Sequence, residues 1–273
     1  MKLILPACLL LASALAGCDV EPIVSEEVVA PETMAEKLTS SVATKVIETV
    51  SADGVTIYGE PYYGGLDRSA PLVLLFHQGG SNGRAEYAPL GAWLNSLGFR
   101  AIAWDQRTGG QRYGRWNRTR ADLPDVPEPG YCDAYPDLQA ALDYVIDQQL
   151  ADEVLVWGSS YSGALVFRLA AENPERVTAL LSFSPASGGP MEDCLAKMWV
   201  DSVNAPMLVV SPDSEMDRES SQEQFMVLTS AGVDYEVIDN GIHGSSMLLD
   251  KRTGHDMSAA RNTIATWLQS VTP

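Results

Sequence analysis

Positive charge, histidine and cysteine are all scarce in this chain of 273 residues. Lys+Arg is 18 against Asp+Glu 36, a formal net charge of −18. A duplex nucleic-acid binder needs a basic footprint, so nucleic acid is not an expected partner. An anionic bilayer would repel such a chain, and any membrane attachment must then be hydrophobic or covalent. With 3 histidines, imidazole chemistry can draw only on His77, His243 or His255. The 4 cysteines offer no CxxC, and no HxxxH is present either, so no metal site is expected. What remains is ordinary for a folded protein: hydrophobic residues at 46%, charged at 20% and aromatic at 8%.

No apolar run reaches the roughly 20 residues that a spanning helix needs. Residues 1–17 carry Lys2 followed by an apolar stretch broken at Pro6, which fits a secretory signal. The end of that stretch, Leu15-Ala16-Gly17-Cys18, resembles a bacterial lipobox. The resemblance implies cleavage before Cys18 and lipidation of its thiol, with the domain in the extracytoplasmic space of the cell envelope. Processing removes Lys2 and no acid, so the mature chain is one unit more negative. Residues 18–43 read as the lipidated cysteine and a solvated acidic tether, with Asp19, Glu21, Glu26, Glu27, Glu32 and Glu36 against Lys37. A short helix over 31–40 is compatible with this stretch. Cys132 and Cys194 remain, an even pair in an oxidising compartment. They are expected to bridge, closing a loop of about 60 residues at a gain of about 4 kcal/mol in the chain-entropy model. Two free buried thiols are the alternative.

From residue 44 onward, strands and helices alternate. Runs 44–50 and 55–63 flank Ala52-Asp53-Gly54 and read as an antiparallel hairpin. The continuous apolar run 72–76 reads as a strand covered on both faces, and 100–104, 153–157, 177–183, 207–210 and 233–238 read as further strands. Helical spacing recurs at 87–97, 137–149, 162–172, 221–230 and 258–271. That alternation predicts a mostly parallel sheet covered by helices, in one domain spanning 44–273. Residues 184–204 leave room for only one short helix, over 193–199, and so for no large cap.

The segment Gly158-Ser159-Ser160-Tyr161-Ser162-Gly163 joins an apolar strand to an apolar helix. A strand-to-helix turn with small residues around a central serine is the context a nucleophile elbow requires. Ser160 is the central serine; Ser162 stands where the usual GxSxG has glycine. A hydroxyl needs a base to take its proton. Of the histidines after Ser160, only His243 directly follows a strand. This order resembles that of α/β-hydrolases, whose acid follows the strand before the histidine's; the resemblance implies Glu215 as the acid, with Asp213 and Asp217 as alternatives. The loop His77-Gln78-Gly79-Gly80-Ser81-Asn82-Gly83 lacks both GxGxxG and the Lys-Ser/Thr of a phosphate cradle. Its His77-Gln78-Gly79 resembles the His-Gly-x of the α/β-hydrolase family, which implies backbone donors for an oxyanion at Gly79 and Tyr161, with Gln78 an alternative to Gly79.

Together, these four loops in this order resemble the α/β-hydrolase family over residues 44–273. The closest likeness is to dienelactone-hydrolase-like and peptidase-like members, which often show Gly-Ser-Ser-Tyr at the elbow. Dienelactone hydrolase itself uses cysteine there, so its substrate does not carry over. The resemblance implies about eight mostly parallel strands with helices on both faces. It also implies a Ser160–His243–Glu215 triad that cleaves a small ester, thioester or amide without a cofactor. An envelope serine peptidase on the same triad, or a non-catalytic lipid-anchored binding protein on this fold, are the other readings. Arg107, Arg112, Arg115, Arg118 and Arg120 crowd an insertion after the strand 100–104. Arg107, Arg112 and Arg115 are candidates to recognise an anionic group on a small-molecule acyl substrate.

Overall fold

The computed structural model describes residues 45–124 and 127–272. These lie within one compact unit, Ala43–Pro273. The proposed signal, Cys18, the tether and the helix over 31–40 fall outside the described residues.

Strands β1 (Ile47–Val50) and β2 (Thr56–Tyr62) pair antiparallel, with Val50 opposite Thr56. Their turn closes through Gly54 N–H to Ser51 O, 2.9 Å, and Gly54 sits at φ +88°, where glycine is unstrained. Next come β3 (Leu72–Phe76), α1 (Gly83–Ser96), β4 (Arg100–Asp105) and the short α2 (Arg118–Asp122). Then follow α3 (Tyr135–Asp147), β5 (Val154–Ser159), α4 (Tyr161–Glu172) and β6 (Ala179–Phe183). The chain ends with β7 (Met207–Pro212), α5 (Glu219–Ser230), β8 (Asp234–Ile238), α6 (Asp250–Thr253) and α7 (Ser258–Val271).

The eight strands lie in the order β1-β2-β4-β3-β5-β6-β7-β8, and all neighbours from β4 to β8 are parallel. β3 to β6 are buried throughout because helices cover both faces. The period of two sorts their side chains into two cores. Leu72, Leu74 and Phe76 join Leu138, Val145 and Leu165 of α3 and α4. Val73 and Leu75 join Tyr87, Leu90, Ile264 and Leu268 of α1 and α7.

Two elements differ from the periodicity by more than a residue or two. Helix α1 begins at Gly83, ahead of its apolar stripe, because Asn82 Oδ1 caps it by accepting the Ala85 amide at 2.9 Å. The expected helix over 193–199 is instead two 3₁₀ turns, Ala196–Met198 and Val200–Ser202, separated by Trp199 at φ −120°. Among the described residues, the segment between β6 and β7 holds only short 3₁₀ turns and no cap domain. A disulfide joins Cys132 and Cys194, with Cα atoms 5.7 Å apart. It ties the segment before α3 to the segment after β6.

The chain leaves β3 for β4 on one side and returns to β5 on the other. The loops after β3 and β5 therefore diverge at the carboxyl end of the sheet. This is the switch point at which open α/β sheets bind ligands.

Candidate active site

The elbow is built first by what its residues lack. A Cβ at Gly158 would lie 2.2 Å from Ser162 O, and one at Gly163 would lie 2.8 Å from Ser182 Oγ. Only glycine fits either place. The turn lifts Ser160 to φ 59°, ψ −121°, a conformation that costs a side chain of order 1–3 kcal/mol. Backbone hydrogen bonds hold it there: Ser160 N–H to Phe183 O at 2.8 Å and Ala186 N–H to Ser160 O at 3.1 Å. The departure at Ser162 has a use. Its buried hydroxyl donates to His77 O at 2.7 Å and accepts from Gln106 Nε2 at 2.5 Å. Ser162 thus joins the elbow to the loops after β3 and β4.

Glu215 sits on a 3₁₀ turn, Asp213–Glu215, directly after β7, and is 7% exposed. Its Oε1 lies 2.5 Å from His243 Nδ1. Asp213 and Asp217 are both exposed, and neither bonds His243 among the described residues; Asp213 Oδ1 accepts the Ser214 amide instead. Of the other histidines, His77 is fully buried. Its Nδ1 lies 2.9 Å from Gln78 O and its Nε2 accepts the Gln106 amide at 3.1 Å, so its ring organises two loops. His255 is exposed between α6 and α7.

Three serines that the motif reading passes over dock the His243 loop. Ser159 Oγ accepts the Ser245 amide at 3.0 Å, and Ser184 Oγ accepts the Gly244 amide at 3.0 Å. Ser245 Oγ in turn accepts from Trp157 Nε1 at 2.8 Å. Gly244 is at φ 75°, and a Cβ there would meet Ser159 Oγ at 2.4 Å. The loop carrying His243 is thereby fastened to the residue immediately before Ser160. A small residue beside a central serine was the available signal for Ser159; nothing local marks Ser184 or Ser245.

On the oxyanion side, the Gln78 amide donates to Glu86 Oε2 at 2.9 Å and is spent. The amides of Gly79 and Tyr161 have no acceptor among the described residues. With Glu215 on Nδ1, His243 can present Nε2 as a base. The arrangement can activate a hydroxyl and receive a developing negative charge.

The arginines divide. Arg107 does not face substrate: its guanidinium is bonded to Asp137 at 2.8 Å and Asp53 at 2.5 Å, and the residue is 6% exposed. Burial alone would lower its pKa, but the bonds to Asp53 and Asp137 outweigh it and the net shift is upward. The Arg107 hydrogen bond holds the Asp53 carboxyl well below the usual carboxylate range. Arg118 is likewise paired, with Asp105 at 2.9 Å and Glu60 at 3.0 Å. Arg112 and Arg115 close a two-residue hairpin around Tyr113 (φ 47°) and Gly114 (φ 73°). Neither guanidinium has a carboxylate partner among the described residues. The hairpin hangs from the loop after β3, because Asn82 Nδ2 donates to Arg115 O at 2.9 Å and Gly110 O at 3.1 Å.

A groove of about 510 Å³ lies elsewhere, beside Val50, Tyr135, Gln139 and Tyr144. None of Ser160, His243 or Glu215 lines it.

A family model described as serine aminopeptidase, S33 (Hydrolase_4), matches residues 67–231. The chain belongs to this family. It is an α/β hydrolase, and solved structures share its fold at low sequence identity. An esterase from Pyrococcus furiosus is 17% identical, with a TM-score of 0.60 over 83% of this chain and 90% of that one. A fungal esterase from Rhizomucor miehei is 17% identical, with a TM-score of 0.60 over 87% and 88%. Est1E from Butyrivibrio proteoclasticus, solved with ferulic acid bound, is 14% identical, with a TM-score of 0.59 over 81% and 98%.

Proposed function

We propose that this hydrolase is a serine esterase acting on small acyl substrates. Ser160 is the nucleophile, His243 the general base and Glu215 the carboxylate that orients the imidazole. The observation that carries this reading is the 2.5 Å contact of Glu215 with His243 Nδ1, on a loop fastened beside Ser160 in its strained turn. Ser160 Oγ attacks the acyl carbon as its proton passes to His243. The amides of Gly79 and Tyr161 bind the carbonyl oxygen as it gains charge, and each such donor is worth about 3–4 kcal/mol. The imidazolium protonates the leaving group, and water resolves the acyl-enzyme by the same steps.

The family's description favours a second reading, a peptidase on the same residues. An aminopeptidase must recognise an ammonium group. The hairpin hung on the loop after β3 offers Arg112 and Arg115 instead, which suits an anionic acyl or leaving group. The N-terminal segment fits export, removal of residues 1–17 and anchoring through lipid on Cys18, placing the enzyme on the envelope. Cys18→Ser is expected to abolish incorporation of labelled palmitate and release the protein from membranes; retained labelling overturns the anchor.

The deciding experiment is reaction of the purified mature protein with a fluorophosphonate probe, beside turnover of a p-nitrophenyl ester and an aminoacyl p-nitroanilide. Labelling at Ser160, lost in Ser160→Ala, with ester turnover exceeding anilide turnover, is the expected result. An unlabelled wild type refutes the serine mechanism, and faster anilide cleavage refutes the esterase assignment in favour of the peptidase.

A further inference from the structure

Tyr131 lies in the insertion between β4 and α3, outside every motif of the sequence. Its ring stacks on that of Tyr161, with centroids 4.8 Å apart and planes at 11°. Tyr161 is a rigid platform, fully buried, with its own hydroxyl donating to Thr108 O at 2.9 Å. The other end of Tyr131 reaches the loop after β3: a Cβ at Gly79 would lie 2.7 Å from Tyr131 Oη. Tyr131 therefore touches both residues whose amides were assigned to the oxyanion. Its hydroxyl has no hydrogen-bond partner among the described residues, and it is not among the buried orphan atoms.

Three restraints fix this tyrosine from outside the site. Thr108 Oγ1 donates to Pro129 O at 3.0 Å, Asp133 Oδ2 accepts the Gly130 amide at 2.9 Å, and the adjoining Cys132 is bridged to Cys194. A free phenol held in place by packing and a cross-link is a preorganised donor, and such donors need no reorganisation as charge develops.

We propose that the Tyr131 hydroxyl is a third hydrogen-bond donor to the substrate's carbonyl oxygen. This rests on the serine mechanism above and extends its oxyanion hole. As Ser160 Oγ bonds to the acyl carbon, the carbonyl π pair moves onto oxygen and the serine proton moves to His243. Tyr131 donates a hydrogen bond to that oxygen and keeps its own proton throughout. When the intermediate collapses, the pair returns to the carbonyl and His243 protonates the leaving group. The role also explains the glycine at residue 79, since any side chain there would displace the phenol.

Tyr131→Phe keeps the ring and its stack and removes only the hydroxyl. With p-nitrophenyl acetate as the probe, kcat is expected to fall about 10- to 100-fold, with KM within about twofold. The fluorophosphonate labelling rate of Ser160 should fall in proportion, because the phosphoryl oxygen occupies the same place. The thermal midpoint should stay that of wild type. Wild-type kcat and labelling rate in Tyr131→Phe overturn the proposal, and if Tyr131→Ala alone is impaired the residue is only a packing group. A wild type that the probe does not label is a separate failure, of the serine mechanism itself.

Discussion

The turn at residues 158–163 is held mainly by backbone, whereas the segment between β4 and α3 is held by side chains reaching from other elements. In the turn, glycine occupies the places where a Cβ would collide, and Ser160 is fixed by bonds to Phe183 O and from Ala186 N–H. In the insertion, Arg107 is gripped by Asp53 of the β1–β2 turn and Asp137 of α3, and Arg118 by Glu60 of β2 and Asp105 of β4. Both segments leave the carboxyl end of the sheet, the turn after β5 and the insertion after β4. The difference teaches that one site can combine a part specified by local stereochemistry with a part specified by distant charge pairing. The two should fail differently under mutation.

The sharpest break on the elbow side is chemical. In the proposed triad, Glu215→Gln keeps the size of the side chain but removes the charge that would fix the imidazole tautomer and stabilise the imidazolium. A loss in kcat of about 10⁴-fold is expected, with an unchanged fold by circular dichroism, as for loss of the acid in other triads. Steady-state kinetics on p-nitrophenyl acetate check this. A loss under tenfold would mean that Glu215 is not the triad acid, and the exposed Asp213 and Asp217 would have to be tested in its place.

On the insertion side the break is in stability. Arg107→Ala leaves Asp137 buried and unpaired, which costs about 3–5 kcal/mol. For a domain of this size the thermal midpoint should drop by about 10 °C. The double change Arg107→Met with Asp137→Asn removes both charges while an amide oxygen can still accept the residue 107 amide that Asp137 Oδ2 now accepts at 2.7 Å. It should recover most of that loss, because an unpaired buried charge is what destabilises. Calorimetry of the two variants separates the explanations. If the double variant is no better than Arg107→Ala, the arginine matters for packing and not for charge.

This division also explains what was legible. The parallel strands, the hairpin, the elbow and the order serine, acid, histidine could all be read, because each depends on residues close in sequence. Ser160, His243 and Glu215 were singled out that way, and Glu215 Oε1 lies 2.5 Å from His243 Nδ1. Ser159, Ser184 and Ser245 were not: the pairs they make, Ser159 with Ser245 and Ser184 with Gly244, join residues far apart in sequence. Arg107 was misread for the same reason. A cluster of arginines looks alike in sequence whether a partner acid lies 30 or 54 residues away or none exists. The same cluster separates into Arg107 and Arg118, paired with acids, and the hairpin of Arg112 and Arg115, which has no carboxylate partner among the described residues, only when the sheet brings Asp137, Asp53, Asp105 and Glu60 alongside.

A smaller effect sharpens the picture of how Arg107 is held. Asp53 is half exposed, so its share is that of a surface pair, under about 1 kcal/mol. Its folded pKa is depressed below the ordinary value of 3.8. Its stabilising contribution is therefore complete above about pH 4 and fades as pH falls toward the folded value. Asp53→Asn should be less stable than wild type by a constant margin above about pH 4, and that margin should close below it. Urea denaturation at a series of pH values measures the margin. A gap that persists unchanged into strong acid would show that the Asp53 side chain acts through its hydrogen-bond geometry and not its charge.

The smallest effect belongs to Arg112 and Arg115, the two hairpin arginines with no carboxylate partner among the described residues. If Arg112 and Arg115 draw an anionic substrate toward the loop after β3, removing either should weaken only that attraction. Arg112→Ala and Arg115→Ala should each raise KM about two- to fivefold for a p-nitrophenyl hemisuccinate and leave p-nitrophenyl acetate unaffected. The preference for the anionic ester should also shrink in about 0.5 M salt, where the screening length falls below the spacing of exposed charges. Both readouts are needed, since a hairpin that merely shapes the pocket would change neutral and anionic esters alike and ignore salt. Equal kinetics for the two esters in wild type and variants would leave the hairpin arginines as solvated charges and return the choice between ester and peptide to the acyl pocket itself.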